Sequence, residues 1–327
     1  MGPAPPAQPD PGAGGAHLQA GRRAGRGVTP DRPVALALAG ALTIAFSAIL
    51  VRLAEVSPES AAFFRCAYAV PVLALLAYGE RRRLGPRPRD LRTALVAGTL
   101  FAATLIFWHH AIENVGAGLS TVLGNLQVVF VAVAAWAAMG EKPSPRVLVA
   151  LPIVLTGVVL ISGLVEDGAY GDDPTLGVVY GLLNAVTYAA FILLMRRANA
   201  GARRPAGPLL DVSLVAAVVA LAYGEAAGAM DLTPGWEATA WLVLLALSSQ
   251  VLGWMLISVS LPQLPAALGS VLLLLQPLGS VLLGVAIFDE APSALQVVGG
   301  VTILAGVLVA TGALRLRSGP WSRSPSS

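Results

Sequence analysis

Charge is the scarcest property of this chain. Only 12% of its 327 residues are Asp, Glu, Lys or Arg, against 56% that are apolar. A globular chain carries about 25% charged residues, and a water-facing surface needs roughly a quarter to a third. A soluble enzyme is thereby excluded, and the mean hydropathy of +0.75 says the same. Cysteine is nearly missing: Cys66 stands alone, which rules out a disulfide scaffold and a cysteine-pair metal site. Catalytic signatures are missing too. There is no Walker loop, no His-Glu-x-x-His and no Gly-x-Ser-x-Gly. The chain therefore reads as no enzyme, with no cofactor and no metal, and ATP-driven pumping has no nucleotide-binding domain to run it. The pI near 9.3 invites a nucleic-acid reading, but the basic residues lie in short linkers and tails between apolar blocks. That is the distribution of a membrane protein anchored by cytosolic charge, with no nucleic-acid partner.

What the chain has in abundance is long apolar runs. A bilayer needs roughly 20 apolar residues per helix. Ten stretches qualify: 34–54, 60–79, 93–112, 117–139, 147–165, 175–195, 208–228, 238–259, 265–288 and 294–314. They are apolar all round and lack the period of two that a membrane barrel would show. Linkers carry breakers, as in Gly85-Pro86-Arg87-Pro88, Pro143-Ser144-Pro145 and Asp172-Asp173-Pro174. Residues 1–33 are rich in Pro, Ala, Gly and Arg without periodicity and read as a disordered basic tail. No uninterrupted apolar stretch precedes Arg32, so the tail is no signal peptide. Residues 315–327 form a second tail.

Charge sets the expected orientation. With residue 1 in the cytoplasm and ten crossings, the inner segments hold 19 of the 21 basic residues, leaving only Arg52 and Arg65. Moving the topology by one span breaks this partition, so both termini are expected in the cytoplasm and the host membrane is expected to be the plasma membrane. The outer loops, with Glu59, Glu113, Glu166 and Glu290 among their residues, are acidic.

The chain also repeats itself. Residues 118–163 laid on 267–312 without gaps give 14 identities in 46 positions. Gln127 falls on Gln276, Glu141 on Glu290, Pro143 on Pro292, Ser144 on Ser293 and Gly157 on Gly306. Each half holds five stretches, an odd number, so the second half enters the membrane from the opposite side. Two inverted halves that rock about a midplane site are the design of secondary transporters. The expected fold is an all-α integral membrane protein of ten transmembrane helices in two inverted five-helix repeats. Its expected segments are a cytoplasmic tail 1–33, a first repeat 34–165, an outer acidic linker 166–174, a second repeat 175–314 and a tail 315–327.

Each half ends in a helix, a short turn with Glu and Pro, and a Gly-rich helix: Gly140-Glu141-Lys142-Pro143 with Gly157-Val158, then Asp289-Glu290-Ala291-Pro292 with Gly299, Gly300 and Gly306-Val307. Arg65 stands early in the second stretch, and the first helix of each half runs from an aromatic to a basic end, Phe46 to Arg52 and Tyr188 to Arg196-Arg197. In these features residues 34–314 resemble the EamA family of the drug/metabolite transporter superfamily. That resemblance implies movement of small metabolites or drugs, often outward, with amino acids or related solutes as common cargo. A multidrug efflux carrier is an alternative, and a non-transporting receptor or scaffold is an alternative of another class. Where relatives often carry an acid before the proline of the ninth helix, this chain has Gln276-Pro277, and its counterpart in the first half is Gln127-Val128.

Polar groups at membrane depth are costly and mark candidate sites. Arg65 lies about five residues inside its stretch, roughly 8 Å at 1.5 Å per residue. It could receive a substrate carboxylate, snorkel to headgroups or tie helices together. Gln127 and Gln276 offer one amide from each half, and Asn125, Asn184, Tyr188, Gln250 and Trp254 are further candidates for cavity walls. Pro277 removes a backbone hydrogen bond and is expected to kink or hinge the ninth helix. Trp108, His109 and His110 read as an interfacial belt closing the third stretch, and Arg52 as an interfacial anchor. No Asp or Glu lies near the middle of any stretch. Transport is therefore expected to be facilitated, or coupled through a peripheral group such as Glu59, Glu113 or a histidine. The expected partners are a small-molecule substrate and the lipid bilayer, with pairing into a homodimer left open.

Overall fold

A computed structural model describes residues 1–2, 31–86, 90–139, 144–166, 168–198, 204–260, 263–264 and 272–311. The Glu141 and Pro143 side of the repeat, most of both tails and the start of the ninth stretch lie outside the described residues. Among those described there is helix and turn and no strand.

Two helices, α1 (Asp31–Ala45) and α2 (Ser47–Ala54), meet at Phe46 and together cover the first stretch. Helix α3 (Pro58–Leu84) carries its own start and stop signals. The Ser57 hydroxyl accepts the Ser60 N–H, Pro58 needs no partner for a missing N–H, Glu59 sits at the positive end of the helix dipole and Arg81, Arg82 and Arg83 at the negative end. Asp90 caps α4 (Leu91–Gly124) through the Thr93 N–H, and the Thr93 hydroxyl bond holds its carboxyl below the usual range. The run continues through α5 (Gln127–Met139), α6 (Pro145–Ile161), α7 (Pro174–Ala198) and α8 (Ala206–Ala227). Next come α9 (Trp236–Leu245), a π-helical segment (Ala246–Gly253) and α10 (Trp254–Ser260), then α11 (Leu275–Phe288) and α12 (Ala294–Thr311).

Among the described residues seven helical runs are long and apolar enough to cross a bilayer, and Pro145–Ile161 and Leu275–Phe288 are shorter apolar helices. The third and fourth expected stretches share the long α4. Inside it Gly116 has φ 86° and ψ 166°, a conformation open to glycine and closed to residues with a Cβ. The run is thus two helices, 91–115 and 117–124, joined at one residue. Leu75, Leu148, Leu155, Val218, Leu282 and Val301 are among many large apolar side chains left exposed. In a multi-pass membrane protein this is the face that lipid covers.

Helices pair α4 with α7, α6 with α12 and α3 with α8. The α6–α12 pair shows why its glycines are needed. A Cβ on Gly157 would lie 2.6 Å from the Gly299 carbonyl oxygen, and one on Gly299 2.8 Å from that of Gly157. Small residues let membrane helices approach to backbone contact. Gly157→Leu is expected to force α6 and α12 apart at a cost of about 1–3 kcal/mol. A lower thermal midpoint in detergent, with membrane insertion retained, is the outcome to look for.

Candidate functional site

The helices enclose a cavity of about 1030 Å³. Helix α4 contributes Phe101, Thr104, Leu105 and Trp108, positions i, i+3, i+4 and i+7 of one helical face. Thr121 and Gly124 follow from the shorter half of α4, then Asn125 and Gln127. Helix α7 adds Asn184, Tyr188 and Phe191, and Trp254 and Gln276 complete the ring. Among the sequence candidates, Arg65, Asn125, Gln127, Asn184, Tyr188, Trp254 and Gln276 therefore face one space. Gln127 Oε1 has no hydrogen-bond partner and is buried. Asn125 donates to the Thr121 carbonyl at 2.8 Å and so holds the turn that separates α4 from α5.

Two candidates stand elsewhere. Gln250 is fully buried and does not line the cavity. Its Oε1 accepts the Arg65 Nε–H at 3.1 Å and its Nε2 donates to the Ser213 hydroxyl at 3.1 Å. It is a positioning residue behind the arginine. Pro277 is buried at the third position of α11, and the break falls earlier, at Leu274. Shifted by 149 positions, Leu274 matches Asn125, where α4 gives way to α5. Both halves break at the same place, one with a nearby proline and one without. At Asn125 the break is made of i→i−3 bonds, Asn125 N to the Val122 oxygen at 3.1 Å and Leu126 N to that of Leu123 at 3.0 Å.

Aromatic rings pack into one wall. Phe101 and Phe191 lie 4.9 Å apart between centroids, and Trp254 meets Phe191 at 6.2 Å and Tyr188 at 6.3 Å, edge to face. The Thr104 and Thr187 hydroxyls join α4 to α7 at 2.9 Å. Trp108 lines the cavity, and Arg65 lies 5.8 Å from its ring centroid. His109 is buried at 1% exposure, bonded to the Pro58 carbonyl at 3.0 Å.

The cavity is asymmetric along the bundle. It reaches Arg204, Pro205 and Thr311 at one end. Its lining also includes Arg65 and Trp108 but none of the residues of a polar cluster around Glu290. There Glu290, 5% exposed, receives Arg52 Nη1 at 2.5 Å, the Ala117 N–H at 2.7 Å and the Gly118 N–H at 3.3 Å. Arg52 also covers the Phe288 ring at 4.2 Å. Arg52 is thus an ion-pair partner and not a simple interfacial anchor, and its partner is the repeated glutamate. Nearby, His110 meets Glu59 at 3.1 Å and Glu113 at 3.4 Å, bringing three of the peripheral ionisable groups together. The His/Cys/Asp/Glu side chains of the described residues form no metal-binding group.

This is a multi-pass helical membrane protein whose bundle holds a cavity with a cation, amides and an aromatic wall, the arrangement that a membrane transporter uses. The particular family follows from comparison: the EamA-like transporter family profile matches residues 32–163 and again 175–312, and the chain belongs to that family. A protein of Archaeoglobus fulgidus described as an uncharacterized transporter is 25% identical over 226 residues, 68% of this chain and 77% of the relative. A solved crystal structure aligns over 88% of this chain and 99% of its own, with TM-score 0.59 and 17% identity, a likeness of fold.

Proposed function

We propose that this chain is a secondary transporter that exports small metabolites, such as amino acids or related solutes, from the cytoplasm across the plasma membrane. Its ten spans form two inverted repeats, and both termini lie in the cytoplasm. The one-ended cavity is the observation that supports this reading most. Under the charge partition, the Arg204 end opens inward and the Arg52–Glu290 end is the outer closure. Alternating access then means opening that outer plug while the inner end shuts. Gln127 and Gln276 supply one amide from each half to the solute path.

The direct test compares metabolites in medium and cytosol of cells making the wild type, Gln127→Ala or Gln276→Ala. One solute class accumulates in the medium only with the wild type, and both variants insert normally with export cut several-fold. Equal export by all three forms takes the glutamines out of the path. Accumulation inside the cells in place of the medium reverses the direction.

A further inference from the structure

We propose that the cargo carries a carboxylate on an apolar, aromatic-sized body, and that Arg65 is its anchor. This rests on the transporter reading above and narrows it from small metabolites in general to organic acids, with an amino group tolerated and not required.

Arg65 is 4% exposed and deep in an apolar bundle, where a cation is costly unless it serves the pathway. Among the described residues no carboxylate pairs with it. Its Nε–H goes to Gln250, its Nη groups make no hydrogen bond to another described side chain, and the residue lines the cavity. Gln250 and Ser213 are both fully buried, so this support fixes the fork from behind. A guanidinium held by its Nε has a free pair of donors spaced to match two carboxylate oxygens. Trp108 beside it offers a ring face that tolerates the cation when the site is empty.

The rest of the wall agrees in sign. No Asp or Glu is among the described lining residues, and the other cation is Arg204 at the open end. At that end Arg204 is held by the carbonyls of Leu84, Gly85 and Pro86, and the Glu80 carboxylate is taken up by the Ala206 and Gly207 N–H groups. Along the described wall a cationic amphiphile therefore meets Arg65 and no lining carboxylate, whereas an organic acid is drawn toward Arg65. In the same lining the stacked, tilted and edge-on rings of Phe101, Tyr188, Phe191 and Trp254 supply an apolar surface for the body of the solute. An ammonium would find only amide and hydroxyl oxygens, which makes it an optional group.

Three probes share one phenylethyl body: 3-phenylpropionate (anion), phenylalanine (zwitterion) and phenethylamine (cation). Trp108 and Trp254 line the cavity, so tryptophan fluorescence of the purified full chain in detergent follows binding. Both carboxylates are expected to bind at least about tenfold tighter than phenethylamine, as a charge-assisted fork contact would give. Arg65→Gln is expected to erase that preference, and Arg65→Lys, a point charge without the fork, to keep part of it. Phenethylamine binding as tight as 3-phenylpropionate, no binding of either carboxylate, or an unchanged ranking in a monodisperse Arg65→Gln protein overturns the inference. The wild-type ranking stands without any variant, so misfolding of Arg65→Gln leaves the test intact. Flux of the same probes in proteoliposomes separates the two readings. Binding of 3-phenylpropionate without passage of any probe sinks the transporter reading alone, and passage of phenethylamine in preference to the acids sinks the anion site alone.

Discussion

Glu290→Ala is expected to unseal the end of the bundle that the Arg52–Glu290 pair is proposed to close, with a larger effect than any change in the cavity wall. The carboxylate accepts from Arg52, Ala117 and Gly118 at once, and no water-exposed substitute is at hand, since Glu290 is 5% exposed. Removing one partner of a buried ion pair costs about 3–5 kcal/mol. The Arg52 side chain is 31% exposed and can regain some hydration, so about 3 kcal/mol is the better figure here. Each 1.4 kcal/mol is about tenfold in a ratio of two states. If the bonds exist only in the closed form, the open-to-closed ratio rises at least about tenfold even when half of the loss is shared. Thr121 lines the cavity, and Cys66, the one natural thiol, is buried. A Thr121→Cys reporter should therefore react slowly with a membrane-impermeant thiol reagent added from outside. In the Glu290→Ala background it should react at least tenfold faster, as that ratio requires. Unchanged external labelling, with the protein folded, means that the Arg52–Glu290 plug is not what closes the path.

This plug shows where sequence reading stops. The repeat brings Glu290 to notice by pairing it with Glu141, but position in an acidic loop argues for solvent. Only the fold reveals that the loop end turns back onto the 117–124 helix and buries the carboxylate against its first N–H groups. Arg52 has the same history, because an arginine at a helix end is more often an interfacial anchor than half of a buried pair. The cavity wall was more legible. Polar residues in apolar helices have few reasons to be there other than a cavity, which is why Arg65, Asn184 and both repeated glutamines come to one space. Phe101 and Thr104 escaped because an aromatic and a threonine in a membrane helix carry no such cost. Their spacing with Leu105 and Trp108 was the available signal. Gln250 was legible as either a pocket wall or a structural anchor, and the hydrogen bonds to Arg65 and Ser213 make it the anchor.

Helix breaks divide along the same line. Pro277 advertised a kink in α11, and the break at Leu274 lies within one turn of it. The matching break at Asn125–Leu126 has no proline and is visible only in its tightened hydrogen bonds. That two halves with different residues break at one equivalent position argues that the break serves the cavity: in each half a glutamine follows it, Gln127 and Gln276, and both line the space.

The second large effect belongs to Gly116→Ala. This residue has φ 86° and ψ 166°, a region that side chains avoid at a cost of about 1–3 kcal/mol. A Cβ there would also stand 3.0 Å from the Glu290 carboxyl carbon and 3.0 Å from the Tyr170 ring. Two penalties therefore act together, one in the backbone and one against the plug, and the expected loss is about 3 kcal/mol or more. They can be told apart by a double-mutant cycle. The strain on φ is independent of residue 290, whereas the contact with Glu290 vanishes once that side chain is truncated. Contacting residues couple by about 0.5–3 kcal/mol, so the Gly116→Ala, Glu290→Ala double variant should be less destabilised than the sum of the singles. Thermal midpoints of the four proteins in one detergent measure this. Strict additivity would mean that the glycine is required for the chain's path alone. A shortfall from additivity means that the break at Gly116 exists to let Ala117 and Gly118 present their N–H groups to a carboxylate from the other half of the chain, which is how an opening of one half would be felt by the other.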